Sequence, residues 1–183
     1  NGNMLSDGNR GYDYDDENRL IRITATNSWK SEFVYDGAGQ RRVGVEFLWQ
    51  AGAWQTNSVT RYVYVSGLVV QERDGNNGPL VAYTRHSGIG GGIGGLLART
   101  ENPTNAQAST CFYHCDANGH VSTLVNTSQV VVARYLYDPY GNTLAASGPM
   151  ALTNTYRYAS KELHSSSGLI FFGGGVPLYR SLG

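Results

Sequence analysis

Much of what marks a catalytic or nucleic-acid-binding chain is missing from these 183 residues. There is no G-x-S-x-G, no H-E-x-x-H and no phosphate loop ending in Gly-Lys-Ser/Thr, so no recognisable catalytic constellation is present. Charge of one sign is also lacking. The 14 basic and 14 acidic side chains cancel, and no block of Lys or Arg supplies the footprint that nucleic acid or an anionic membrane requires. No run reaches the roughly 18 apolar residues of a membrane-spanning helix, and no basic-then-apolar leader opens at Asn1. An opening of "NGNMLSDGN" is expected of an internal piece of a longer polypeptide. Long helix-forming runs are scarce too, because Gly, Asn, Ser or Thr interrupt nearly all of them.

What is abundant points to β-structure. With 24 Gly and 13 Tyr against 15% charged residues, the chain reads as all-β, since Tyr favours strands and its amphipathic ring covers a partly wet sheet. A repeat is visible. "YDYDDENRL" (Tyr12 to Leu20), "FVYDGAGQR" (Phe33 to Arg41), "YHCDANGHV" (Tyr113 to Val121) and "YLYDPYGNT" (Tyr135 to Thr143) share an aromatic-x-(Tyr or Cys)-Asp step, with Gly or Asn three residues later. The repeat positions are thus Tyr12, Tyr14 and Asp15; Tyr35 and Asp36; Tyr113 and Asp116; and Tyr135, Tyr137, Asp138 and Gly141. "YVYVSG" (Tyr62 to Gly67) and "YRYASKE" (Tyr156 to Glu162, with Tyr156 and Tyr158) keep the aromatic pair and lose the Asp. The second aromatic slot falls at residues 14, 35, 64, 115, 137 and 158, at intervals of 21, 29, 51, 22 and 21. A unit of this kind is a β-hairpin: two rings on one strand face, then Asp-x-x-Gly/Asn turn chemistry, then a returning strand such as "RLIRI". A lone hairpin is marginal, so neighbours must continue one sheet.

Tyr-Asp repeats of about 21 residues resemble the YD repeats of bacterial RHS proteins, and the resemblance runs through nearly the whole chain. It is strongest at "YDYDDENRL", at Asp116 to Gly148, and at "YRYASKELHSSSGL" (Tyr156 to Leu169), which resembles the start of the RHS-associated core segment. The resemblance implies a curved, spiralling antiparallel sheet of hairpins, part of a hollow shell around a C-terminal toxin. Such a wall would have two wetted faces. On this reading residues 1–86 are hairpins, 87–110 a Gly-rich connection and loop, 111–155 further hairpins, and 156–183 the start of a degenerate or truncated core-like segment. In that segment "SGLIFFGGGVPLYRSLG" departs from the family's "SGLYYYGxRYYDP", and no self-cleavage motif is present.

Individual residues invite other functions. Gly90 to Gly95 satisfies the G-x-G-x-x-G template, but only Leu96 to Asn102 separate it from Pro103, too short for the helix whose N-terminus would face a phosphate, so a turning connection is expected. Cys111, His114, Cys115 and His120 are zinc-type ligands within ten residues. On a strand, however, His114 points away from Cys111, Tyr113 and Cys115. About 13 Å would separate the two cysteine Cβ atoms, too far for a disulfide, so two reduced thiols are expected and no metal or cofactor is assigned. Asp15, Asp36, Asp116 and Asp138 occur once per unit, which argues for turn capping rather than acid–base work. Asn126-Thr127-Ser128 is a formal glycosylation acceptor.

The expected function is therefore a non-enzymatic shell or scaffold fragment, secreted or at the cell surface. Its partners would be further repeats of the same polypeptide or other copies of itself, and an enclosed toxin domain. Two rival readings are a self-assembling, adhesion or glycan-binding module displaying Trp29, Trp49 and Trp54, and an aspartate-dependent self-cleaving enzyme.

Overall fold

A computed structural model describes residues 2–86 and 94–172, together with the backbone of 177–178. Among them the chain forms one open antiparallel sheet of twelve strands lying in sequence order: β1 (Gly11–Tyr14), β2 (Leu20–Ala25), β3 (Trp29–Tyr35), β4 (Arg41–Gln50), β5 (Ala53–Val65), β6 (Leu68–Arg73), β7 (Pro79–Arg85), β8 (Leu96–Glu101), β9 (Ser109–Cys115), β10 (Val121–Asn126), β11 (Val131–Tyr137) and β12 (Thr143–Ser147). A short second sheet, β13 (Glu162–Leu163), β14 (Ile170–Phe171) and β15 (Pro177–Leu178), comes after a single 3-10 turn at Tyr158–Ser160. No α-helix occurs among the described residues.

Six of the strand connections use one turn. Asp15, Asp36, Asp74, Asp116, Asn126 and Asp138 each accept, on Oδ1, the backbone N–H groups two and four residues ahead, at 2.7 to 3.0 Å. The side chain thereby supplies acceptors that the turn's own backbone lacks. The third residue on adopts a left-handed conformation, with φ between 62° and 87° at Asn18, Gly39, Asn77, Gly119, Gln129 and Gly141. Asn and Gly reach that region at little cost. Gly141 has a second reason to be glycine, because an added Cβ would lie 2.9 Å from the Tyr158 ring. Two tighter hairpins, at Ala51-Gly52 and Ser66-Gly67, use two consecutive left-handed residues, the geometry that suits a right-twisted ribbon.

Alternation gives the sheet two unlike faces. Along β9, Cys111 and Tyr113 are buried while Phe112 and His114 are exposed. The inward residues form two clusters, one centred on Tyr62, Tyr83, Leu96, Tyr113, Leu124 and Tyr135, the other on Tyr12, Leu20, Ile23 and Phe33. Both are completed by residues 151–172, which lie on the inner face as a strap: Ala151 and Tyr156 join the first cluster, Leu169 and Phe171 the second. The sheet bends about this strap. Ser160 approaches Cys115 on β9, while Glu162, two residues on, pairs with Arg41 on β4. Five strand spacings separate β4 from β9, about 24 Å if flat.

Three expectations change. The inner face is dry where the strap lies, not wetted, because its Tyr rings find apolar and hydrogen-bonding partners there. Tyr156 and Tyr158 belong to the strap rather than to a further hairpin: they lack the Asp-x-x-Gly step, and Ala159 and Ser160 turn left-handed at once. Residues 96–101, read as part of the connection, form β8 and pair with β7 and β9. Most of the glycine stretch, 87–93, lies outside the described residues; Gly94 and Gly95 lead directly into strand β8, with no helix terminus to receive a phosphate.

Candidate functional site

The repeat residues meet in a contact that recurs across the inner face. Tyr35 Oη donates to the carbonyl of Leu20 (2.8 Å), Tyr64 to that of Arg41 (3.0 Å) and Tyr137 to that of Val121 (2.7 Å). Each acceptor opens the strand that leaves an earlier turn, so every tyrosine clamps its hairpin to a preceding one. β7 keeps the pattern with different chemistry: Arg85 Nε donates to the Val69 carbonyl at 2.8 Å. Tyr83, two residues earlier and buried, occupies the first aromatic slot. The repeat pattern misses this unit because it lacks the second tyrosine, although the 51-residue interval, far above 21, signals it. Asp74 and Asn126 escape notice as turn caps because no aromatic pair precedes them; their signal is Asp/Asn with Asn or Gln three residues later.

Tyr12, Tyr113, Tyr135 and Tyr156 fill first slots and are buried. In the second slot, Tyr14 has a buried hydroxyl with no hydrogen-bond partner among the described residues. Cys115 and Tyr158 take other partners, Ser160 and the Pro139 carbonyl. The metal-type quartet does not converge. Cys111 is buried beside Met150 (Sγ to Sδ 3.3 Å), His114 is exposed, and His120 Nδ1 accepts the Ala159 N–H at 2.9 Å. Both cysteines are free thiols, and burial pushes each above its ordinary pKa, away from thiolate reactivity.

Beneath the strap lies a chain of buried polar groups. The Arg41 guanidinium is stacked against Phe171 (4.2 Å), Tyr62 (4.4 Å) and Phe33 (5.4 Å) and bonds the Glu162 carboxylate, which also accepts the Tyr62 hydroxyl at 3.2 Å. Burial alone would favour neutral Arg41, but the Glu162 charge overrides it and holds the cation. Glu72, opposite Tyr62 on β6, accepts the Tyr83 hydroxyl at 2.7 Å. Burial, with the Glu162 charge adding to it, pushes the Glu72 carboxyl up to about 7. Asn154 accepts from Tyr113 (2.9 Å) and donates to the Tyr156 carbonyl (2.8 Å), and Arg157 donates to the carbonyls of Asn154 (2.9 Å) and Ala151 (2.6 Å). At the far end Ser167, His164 and Glu46 line up: Ser167 Oγ is 2.7 Å from His164 Nδ1, and Nε2 is 3.0 Å from Glu46 Oε1. That order resembles a hydrolytic triad, but Ser167 Oγ also takes the Leu169 N–H, the Ser167 N–H itself reaches Nδ1 (3.2 Å), and the Ser and His are buried. The arrangement fastens the 164–169 turn to β4.

Of the tryptophans, Trp49 and Trp54 pair edge-to-face (5.0 Å) at the tip of the β4–β5 hairpin, where Lys30 Nζ lies 5.5 Å from the Trp54 ring. Trp29 instead packs on the inner side against His164 (6.1 Å).

No family model matches the chain. Among curated proteins it is similar to the tRNA3(Ser)-specific nuclease WapA of Bacillus spizizenii (31% identical over 176 residues, 93% of this chain) and to the tRNA nuclease WapA of Bacillus subtilis strain 168 (30% over the same length). It spans only 7% of the length of these relatives. Among solved structures it shares its fold with TcdB2-TccC3-Cdc42 (TM-score 0.69, 15% identity, 94% of this chain and 9% of that one) and with TcdB2-TccC3 without its hypervariable C-terminal region (TM-score 0.67, 16% identity, 94% and 8%).

Proposed function

Because the chain belongs to the RHS/YD-repeat family of toxin proteins, we propose that it is one stretch of wall in a shell that encloses or presents a C-terminal effector. The observation carrying this reading is the open twelve-strand sheet whose hairpins are joined by one repeated clamp, with a strand edge at each end for further repeats. Two pairs of ionisable groups on its inner face serve packing: Arg41 with Glu162, and His164 with Glu46, hold the strap. The wall segment is therefore non-enzymatic, and the nuclease activity in the relatives' names belongs to residues outside it. The destination is secreted or cell-surface, and no described helix is long and apolar enough to cross a membrane. Residues 1–86 and 96–147 supply wall hairpins, and the chain that follows, from the strap onward, begins the closing segment.

The test uses the full-length polypeptide. Limited proteolysis should leave the C-terminal effector intact in the natural protein and expose it when Tyr35, Tyr64 and Tyr137 are all changed to Phe. An effector cleaved equally fast in both, or tRNA cleavage by the 183-residue chain alone, would refute the proposal. The adhesion reading is less favoured, since Trp29 is packed under the strap and does not share a surface with Trp49 and Trp54.

A further inference from the structure

Between the strap and the turns of β3–β4 and β5–β6 lies a cleft of about 130 Å³, lined among others by Arg41, Tyr64, Leu68, Arg85, Lys161 and Phe172. Its charge does not balance. Three cations, Arg41, Arg85 and Lys161, face a single carboxylate, Glu162, which is already bonded to Arg41 and Tyr62. The Arg41 side chain is only 6% exposed, yet its Nε and Nη1 have no hydrogen-bond partner among the described residues. Among those residues the Lys161 ammonium makes no hydrogen bond or ion pair either. Burial, with repulsion from Arg85 adding to it, lowers its pKa.

The surplus is not demanded by the fold. Arg85 stands in the slot that other units fill with tyrosine, and a phenol there would make the same bond to a strand carbonyl without a charge. Unpaired cations in a half-buried cleft are costly unless an anion joins them. The remaining lining is largely aromatic and aliphatic: Tyr35, Tyr64, Leu68, Val69, Phe171 and Phe172. Such walls accept an apolar body and disfavour stripping water from a small, doubly charged anion.

We propose that this cleft binds a carboxylate carried on an apolar body, its charge met by Lys161 and Arg85 and its body by the Tyr64, Leu68 and Phe172 side. A free aromatic acid and an acidic side chain next to an aromatic residue in a peptide present the same chemistry. The site is independent of whether the wall encloses a toxin.

Calorimetric titration of the chain with benzoate, with the blocked peptide acetyl-Phe-Asp-Phe-amide and with inorganic phosphate tests the proposal. Saturable binding of benzoate or the peptide is expected, and the tighter of the two identifies the source. Lys161→Met should weaken it at least tenfold while leaving thermal unfolding near that of the natural chain, and Lys161→Arg should restore it. Absence of binding by both carboxylates, binding that Lys161→Met leaves unchanged, or tighter binding of phosphate than of either would overturn the assignment.

Discussion

Tyr137 Oη and the Val121 carbonyl, 16 residues apart, are joined by a 2.7 Å hydrogen bond that ties β11 to the start of β10. Tyr35 with Leu20 and Tyr64 with Arg41 repeat the bond. Removing the hydroxyl by Tyr137→Phe should cost about 1 kcal/mol of stability, the net worth of a neutral hydrogen bond. Tyr14→Phe is expected to cost nothing, because that buried hydroxyl has no partner among the described residues. Urea unfolding of both variants measures the contrast; an equal loss in each would contradict the clamp.

The six-fold turn gives a prediction of its own. Asp116→Ala deletes the acceptor of two backbone N–H groups, those of Asn118 and His120, and should cost about 0.5–2 kcal/mol, as lost helix caps do. Asn126→Asp keeps its Oδ1 and should be close to neutral. Thermal melts of the pair distinguish capping from mere polarity.

Arg41 and Glu162 are both largely buried, and their bond crosses from the wall to the strap. Breaking one partner leaves the other charge uncompensated, so Arg41→Met or Glu162→Gln should each lose about 3–5 kcal/mol. The double variant Arg41→Met with Glu162→Met should lose much less than the sum. A double-mutant cycle by chemical denaturation reads that coupling directly, and additive losses would rule it out.

Glu72 sets a pH dependence. Its folded carboxyl is raised to about 7 by burial, with the Glu162 charge contributing, from an ordinary 4.5. Below the unfolded value both states are protonated and its contribution is complete; as pH rises from 4.5 through 7 the unfolded state releases the proton first, and stability falls. One proton gives a slope of at most about 1.4 kcal/mol per pH unit. Glu72→Gln should flatten that decline. Carboxyls held low, such as Asp138 by the Asn142 side chain, act in the opposite sense and lose their contribution only in acid. Stability measured at about pH 5, 6 and 7.5 in both proteins checks the assignment.

At the far edge β12 pairs, among the described residues, only with β11, and Leu144 on it is 62% exposed. Such an edge invites pairing with another strand. Light scattering of the 183-residue chain should show self-association that Leu144→Lys reduces, whereas a stable monomer at high concentration would argue against an available edge.

Four hairpins were legible in the sequence because each carries its own signal within nine residues, as in "YLYDPYGNT", where the inward rings, the capping Asp138 and the left-handed Gly141 stand at fixed spacing. β7 was not, since Arg85 performs the tyrosine's task with a different group, and spacing alone marks its place. The strap was only half legible. "YRYASKE" looks like another unit, and nothing local says that Glu162 will find Arg41 and His164 will find Glu46, at separations of 121 and 118 residues. The capping role of Asp15, Asp36, Asp116 and Asp138 can be inferred from repetition alone, whereas the surplus of cations in the cleft depends on three separated stretches of chain meeting.

The strap also orders events in time. Each hairpin closes over a few residues, and such local loops form in microseconds, but the Arg10 bond to the Ser167 carbonyl spans 157 residues and cannot form until the strap has followed the whole sheet out of the ribosome. Until then the aromatic inner face of these twelve strands stands uncovered, and the nascent protein is vulnerable to aggregation during that interval.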